Sequence, residues 1–449
     1  MSGPAANGLI IAAPASNSGK TFFTLSILRL LANEGVPAQP AKVGPDYIDP
    51  AFHRAASGRT CYNLDTWAMR PATLAHLLGR LSEDGRTVVC EGVMGLFDGA
   101  RGDNGSDNGE TDGSTASLAR LTGWPVVLIV DASAQAASAA ALVRGFATHV
   151  EGVEIAGVVF NRVAGIGHEA ILRDAMSQHL AHIPVLACLP REPALSLPER
   201  HLGLVQAQEI DELEPFLIAA SAWLRQHVDL AAFTELLRPS LPVTGADDGV
   251  PIPPLGQRIA IADDAAFAFT YAGVVEGWRR AGAEMSRFSP LSGVGPDASA
   301  DAVYLPGGYP ELHAGRLTVG DFLPGLKAAA ARGATVFGEC GGYMVLGQGL
   351  TDGSGTRHEM AGLLPLETSF AERRLHLGYR RLGLQEATPL GERGTGFRGH
   401  EFHYASIVSE GTDHRLFDAA DAAGTALGAM GNVSGTVFGS FAHLIDRSD

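Results

Sequence analysis

The sequence predicts an α/β chain of two domains, a doubly wound parallel sheet followed by a second α/β domain, on three observations. Short, nearly all-apolar runs alternate with helix-length amphipathic segments through the first half, the pattern of strands buried between helix layers. Residues 238–256 break that pattern with Pro-Ser-Leu-Pro-Val-Thr-Gly and Val-Pro-Ile-Pro-Pro, a composition that marks a linker. A fresh strand-to-helix alternation opens immediately afterwards. At roughly 150 residues per domain, 449 residues leave room for two or three domains. The boundaries read here are 1–237, a linker at 238–256, and 257–449.

Taken in order, Leu9–Ala12, Thr87–Cys90, Val126–Val130, Ile155–Phe160 and Ile183–Ala187 are the expected strands, with helices at Thr21–Asn33 and His168–His182 between them. Residues 101–115 (RGDNGSDNGETDGST) interrupt the alternation; a solvated loop and a lid over a site are both open readings. Beyond the linker, Arg258–Ala262 is a strand, Phe267–Ala281 a helix, and Ala302–Leu305 and Thr335–Phe337 further strands.

Composition narrows the function classes. The chain is 46% hydrophobic and 18% charged, which supports buried cores and argues against disorder. Its 33 basic and 49 acidic residues leave a net charge of −16. A sequence-independent grip on nucleic acid needs the opposite balance, so any site for a polyanion must be locally positive. The four cysteines, Cys61, Cys90, Cys188 and Cys340, form no CxxC pair and are too sparse for a disulfide framework. The apolar run Gly8–Pro14 is too short for a signal segment or a membrane span. A soluble cytoplasmic chain with neither nucleic-acid nor membrane partner is expected.

The first strand runs into Pro14-Ala-Ser-Asn-Ser-Gly-Lys-Thr21 and then a helix. This resembles the P-loop G-x-x-x-x-G-K-[ST], whose amides cradle phosphates, although Pro14 stands where the first Gly belongs. In that scheme Ser18 and Gly19 belong to the cradle, Lys20 contacts the β/γ-phosphates, and Thr21 sets its hydroxyl on Mg²⁺. The chain has only three lysines, Lys20, Lys42 and Lys327, so a lysine directly after glycine at a helix start is poor surface decoration. Carboxylates cluster in two blocks, Lys42-Val-Gly-Pro-Asp-Tyr-Ile-Asp-Pro50 and Glu91-Gly-Val-Met-Gly-Leu-Phe-Asp-Gly99. The carboxyl ends of parallel strands are where open α/β sheets bind ligands. Mg²⁺ takes one or two carboxylates plus phosphate oxygens, which Asp49 and Glu91 can supply, leaving Asp46 and Asp98 to face a substrate.

In the second domain, strand Thr335–Phe337 leads into Gly338-Glu-Cys-Gly-Gly-Tyr-Met344. A strand-to-helix turn of this type is a nucleophile elbow with Cys in place of Ser, and a helix N-terminus behind the sulfur favours thiolate. Gly439-Ser-Phe-Ala-His-Leu-Ile445 offers His443 as the base, and Leu305-Pro-Gly-Gly-Tyr-Pro310 offers a Gly-rich turn. The N–H groups of Gly308 and Gly341 would then form an oxyanion hole.

PASNSGKT, KVGPDYIDPAFH, EGVMGLFDG, LPGGYPE, GECGGYM and GHEFHY occur in order across both domains. On these motifs the whole chain resembles the cobyrinate / hydrogenobyrinate a,c-diamide synthase family of cobalamin biosynthesis. The resemblance implies a P-loop NTPase-like first domain similar to dethiobiotin synthetase, which matches that half alone, and a class I glutamine amidotransferase second domain. It implies that Cys340 and His443 release ammonia from glutamine. It further implies that the first domain uses ATP and Mg²⁺ to activate a carboxylate of hydrogenobyrinate or cobyrinate as an acyl phosphate, which ammonia converts to the amide. By the same resemblance Asp46, Tyr47, Ile48 and Asp98 handle the substrate, Thr21, Asp49 and Glu91 the metal, and Asn161 the adenine. Arg373, Arg374, Arg380 and Arg381 are either a local positive face for the polycarboxylate or a solvated cluster. Many class I amidotransferases carry Glu two residues after the histidine, where this chain has Ile445, so a Cys-His dyad is expected. A homodimer stays open. Two other readings stand beside this one: a sister amidotransferase of the cobyric acid synthase type, and a partitioning-type nucleotide-switch ATPase. The switch would leave Cys340 and His443 without work.

Overall fold

β1 (Asn7–Ala12) is buried over five of its six residues, as an apolar strand must be when helices cover both sheet faces. The computed structural model describes residues 5–448 apart from 101–111, 196–198, 201, 202, 205, 211 and 246–248. It divides into two units, the second of which takes in Ala68–Thr73 along with the chain from residue 248 onward. Most of the interrupting segment 101–115 therefore lies outside the described residues. At its end the Ser114 side chain accepts a hydrogen bond from Ser117 N–H and caps the helix Thr115–Thr122.

In the first unit β2 (Ala38–Val43), β3 (Tyr62–Leu64), β4 (Thr87–Glu91), β5 (Val126–Asp131), β6 (Ile155–Val163) and β7 (Val185–Pro190) join β1 in the order β3-β2-β4-β1-β5-β6-β7. All these pairings are parallel. β1 lies between β4 and β5, so the loops after β1 and β4 open side by side at the carboxyl edge of the sheet. α1 (Lys20–Asn33) and α2 (Asp49–Ser57) follow β1 and β2. The core beneath them is Leu9, Ile11, Phe23, Leu28, Phe52, Val127 and Ile129 with their neighbours.

Two element limits differ from the sequence reading for identifiable reasons. The last strand begins at Val185, because Pro184 has no N–H to give to a ladder and Ile183 N–H closes a turn on Leu180 O. The expected linker is partly absorbed: Arg238 and Pro239 pair antiparallel with Gly8 and Asn7, while Ile252 and Leu255 are buried.

The second unit contains β8 (Arg258–Ala262), β9 (Glu284–Phe288), β10 (Ala302–Leu305), β11 (Thr335–Glu339), β12 (His376–Leu384), β13 (Gly396–His403), β14 (Arg415–Ala420), β15 (Ala426–Ser434), β16 (Val437–Ser440) and β17 (Ala442–Arg447). They form one sheet in the order β9-β8-β10-β11-β16-β15-β14-β12-β13-β17. Its first five strands are parallel and the rest antiparallel. The expected helix at Phe267–Ala281 is confined to Ala272–Arg280, since Phe269 instead bridges to Gly307. Among the described residues no helix is long and apolar enough to cross a membrane.

β17 is buried from Ala442 to Asp446. Within this unit Asp446 accepts from Arg70 N at 2.8 Å, Nε at 3.0 Å and Nη2 at 2.9 Å. Burial still holds the Asp446 carboxyl up at about 6 despite Thr73 and Arg70. Its charge therefore costs stability as the pH rises through that value, and the cost grows when Arg70 is removed. Arg70→Ala is expected to destabilise the protein by about 3–5 kcal/mol at pH 8 and by clearly less at pH 5, where Asp446 is neutral. Chemical denaturation at both pH values checks this; an equal loss at each would contradict it.

Candidate active sites

In the first unit the loop after β1 turns through left-handed residues Asn17 (φ 62°) and Gly19 (φ 99°) before α1 begins. A side chain at Gly19 would have to adopt a disfavoured backbone and would put its Cβ 2.2 Å from Asn161 Nδ2. Lys20 is buried, its Nζ donating to Met94 O at 2.6 Å and Ala15 O at 3.4 Å. Burial lowers its pKa from the usual lysine value. Ser18 Oγ donates to Ala15 O at 2.9 Å.

The structure brings Thr21, Asp49 and Glu91 together, and adds two residues that the motif reading left without a role. Thr21 Oγ1 donates to Glu91 Oε1 at 2.7 Å. Lys42 Nζ lies 2.6 Å from Asp49 Oδ2, 3.0 Å from Glu91 Oε1 and 3.7 Å from Asp46 Oδ2. His53 Nε2 pairs with Glu91 Oε2 at 2.7 Å. Burial opposes the charges on both Glu91 and Lys42. Lys42 and His53 nevertheless hold Glu91 well below the usual range, and Asp49, Glu91 and Asp46 hold Lys42 well above it. Burial and the neighbouring Asp46 raise Asp49 well above the usual carboxylate range despite Lys42. The donors gathered here are hydroxyl and carboxylate oxygens, hard ligands that fit a divalent cation such as Mg²⁺. The signal for Lys42 was present in the sequence: the scarcity that singled out Lys20 applies equally to it, and only Lys327 of the three is exposed.

The remaining candidates sit around this cluster. Asp46 Oδ1 accepts from Ile48 N at 2.8 Å and Asp49 N at 3.1 Å, so it caps α2 while facing Lys42. Tyr47 is buried, and Ile48 packs against the core. Asp98 Oδ2 accepts from Gly95 N at 2.8 Å and closes its own loop. Asn161, the residue expected at the adenine, braces the loop before Lys20. Its Nδ2 donates to Ser18 O and its Oδ1 accepts from Arg162 N, each at 2.9 Å. Both ends of the amide are thereby engaged in bracing the loop that precedes Lys20.

In the second unit Cys340 has φ 48° and ψ −106° between β11 and the helix Gly341–Leu346. Positive φ on a non-glycine residue is strained and recurs at functional turns, as the elbow motif requires. The turn closes only because Gly342 lacks a side chain, since a Cβ there would stand 2.0 Å from Leu305 O. A Cβ placed on Gly307 would fall 3.3 Å from Cys340 Cβ and 2.9 Å from His443 Nε2. Thiol and imidazole therefore flank the same crevice, beneath the Gly-rich turn. A Cβ on Gly341 would lie 3.0 Å from Gly308 N, which puts the two expected oxyanion donors side by side.

The electrostatics differ from the sequence expectation. Burial pushes the Cys340 thiol well up, although Gly341 N–H points at the sulfur, and Sγ lies 3.7 Å from Phe402 O, to which it donates. Desolvation outweighs the short helix behind the sulfur. Burial, with His400 and His403 nearby, lowers His443 to about 3. The resting pair is a neutral thiol beside a neutral imidazole.

Arg380 does not present a positive face. It is buried, donates through Nε to Glu401 Oε2 at 2.6 Å, and belongs to a network with His403 and His376. Donor atoms of His376, Glu401 and His403 lie within 4.8 Å of one another. The two imidazoles stack with their planes 5° apart, so their in-plane lone pairs do not converge, and Arg380 already balances the carboxylate.

Comparisons with known proteins match each half of the chain to a separate domain family. Residues 258–449 match the CobB/CobQ-like glutamine amidotransferase domain family, and residues 9–205 match the CobQ/CobB/MinD/ParA nucleotide binding domain family. A hydrogenobyrinate a,c-diamide synthase of Brucella anthropi is 54% identical over 443 residues, covering 98% of each chain. Proteins of the same name from Rhizobium meliloti and Mesorhizobium japonicum are 50% and 46% identical, each over 99% of this chain and 100% and 99% of their own.

The crevice geometry makes one substitution diagnostic. Gly307→Ala is expected to lower glutamine hydrolysis on the order of 10²-fold, the scale of an ångström-level misplacement of reacting groups, and to slow alkylation of Cys340 by iodoacetamide. Nucleotide affinity should be unchanged. Unaltered alkylation and hydrolysis would show that thiol and imidazole do not share that space.

Proposed function

The chain belongs to the hydrogenobyrinate a,c-diamide synthase family, and from that premise we propose that it amidates the a and c carboxylates of hydrogenobyrinate, using ATP, Mg²⁺ and glutamine. The observation that carries this reading is the pairing of two sites in one chain: a buried Cys340 beside His443 in a strained elbow, and a P-loop lysine above a cluster of carboxylates. A nucleotide switch would use only the second of these.

In the second unit Cys340 Sγ attacks the glutamine carboxamide carbon while His443 takes the thiol proton. Because both groups start neutral in a desolvated crevice, a lone proton transfer would create two unfavourable buried charges. Transfer therefore accompanies attack, and the developing oxyanion is met by the N–H groups of Gly308 and Gly341. His443 returns the proton to the leaving nitrogen, ammonia departs, and water cleaves the thioester. Sulfur and imidazole end as they began.

In the first unit Lys20 leaves its carbonyl partners for the β/γ-phosphate oxygens, and the amides around Ser18 and Gly19 complete the cradle. Thr21, Asp49 and Glu91 would hold Mg²⁺, which when bound neutralises charge on the transferring phosphoryl group. A substrate carboxylate oxygen attacks the γ-phosphorus, ADP leaves, and ammonia displaces phosphate from the acyl phosphate. Lys42 keeps Glu91 ionised and orients Asp49 beside it. Asp46, Tyr47, Ile48 and Asp98 line the approach and set which side chain is presented.

Three measurements test the proposal. Mass spectrometry of products from hydrogenobyrinate and from cobyrinate, with ATP, Mg²⁺ and glutamine, should show two successive gains of an amide on the former; no product from it would end the assignment. Cys340→Ala should abolish glutamine use while ammonia still supports amidation, whereas joint loss of both would contradict separate sites. Glu91→Gln should weaken Mg²⁺-dependent ATP turnover by 10-fold or more, about the effect of losing 1.4 kcal/mol of transition-state stabilisation, with Cys340 alkylation intact. An unchanged Mg²⁺ titration would remove Glu91 from that role.

A further inference from the structure

Glu339 directly precedes the nucleophile, and Leu444 directly follows the base. Glu339 is buried at the end of β11, where a carboxyl group needs partners to offset lost solvation. It has two. Oε1 accepts from the backbone N–H of Leu444 at 2.8 Å, and Oε2 accepts from the hydroxyl of Tyr304 on β10. Tyr304 is itself fixed, edge-on to Trp278 with ring centroids 5.2 Å apart and stacked on Phe337 at 5.8 Å. The sheet already ties Cys340 N–H to Ser440 O at 2.8 Å, but the chain then crosses from β16 to β17 before reaching His443. The Glu339 carboxyl group closes that gap.

We propose that Glu339 is the positioning residue of the Cys340–His443 pair, fixing the backbone of β17 beside His443 from the residue adjoining the nucleophile. It stands in for the carboxylate that is absent at Ile445, and it works through the peptide backbone rather than through the imidazole ring. The inference rests on Cys340 and His443 being the glutaminase pair. Burial raises Glu339 to about 7 against the pull of its two donors, so the role needs its acceptor oxygens rather than a full charge. Glutamine at this position can accept from Leu444 N–H and donate to Tyr304, whose hydroxyl can reverse its direction. Leucine can do neither.

The test uses the full-length enzyme with glutamine and, separately, with ammonia. Glu339→Leu should lower kcat for glutamine hydrolysis on the order of 10²-fold, as for a misplaced reacting group, with KM for glutamine and ammonia-dependent amidation unchanged. Glu339→Gln should restore kcat to within a few-fold of the parent. Tyr304→Phe, which keeps the ring and removes one of the two donors, should give an intermediate loss and serves as the readout if Glu339→Leu does not fold. The proposal is overturned if Glu339→Leu hydrolyses glutamine normally, if ammonia-dependent activity falls with it, or if Glu339→Gln is as impaired as Glu339→Leu. Failure of the dyad assignment would instead appear as retained glutamine use in Cys340→Ala.

Discussion

Glu91 carries a charge with no contact to solvent, and the first site depends on keeping it there. An unpaired carboxylate in such a place would either protonate or disrupt the fold. Thr21, Lys42 and His53 each direct a donor at it from a different segment. The helix that begins with Lys20 and Thr21, the strand that carries Lys42, and the helix that carries His53 are thereby tied to the end of β4. The same contacts leave an oxygen-lined cluster close to Lys20. Folding and ligand chemistry draw on one set of residues, because a charge stabilised by three directed donors is also a charge held in one place.

The second unit solves the opposite problem. Burial disfavours charge on both Cys340 and His443, and geometry rather than resting ionisation brings them together. The positive φ of Cys340 lifts the sulfur out of the strand, and glycines at 307, 308, 341 and 342 let backbone, thiol and imidazole approach more closely than any side chain would permit.

Much of this was legible in residues alone. The five apolar runs of the first half became strands because fully buried parallel strands are continuous hydrophobic text. Both ligand loops were marked by glycine where the backbone must turn sharply. The antiparallel half of the second sheet was not legible: β13 reads Gly-Phe-Arg-Gly-His-Glu-Phe-His, whose alternate burial places Glu401 and His403 inside, so hydropathy alternation carries no signal there. Pro184 displaced a strand start, and burial works against the thiolate that the helix N-terminus would favour, because the depth of burial is not written in local sequence.

What the sequence by itself determined is the order of the parts: a P-loop, two carboxylate blocks, a cysteine elbow and a late histidine, each recognisable because its chemistry demands particular residue types within a few positions. What only the tertiary structure decided is which distant groups share a charge or a crevice. Lys42 meets Glu91 across 49 residues, and Leu444 meets Glu339 across 105. The first joins neighbouring strands, the second joins strands that are not neighbours in their sheet, and the energy of both depends on desolvation, which exists only once the core has closed.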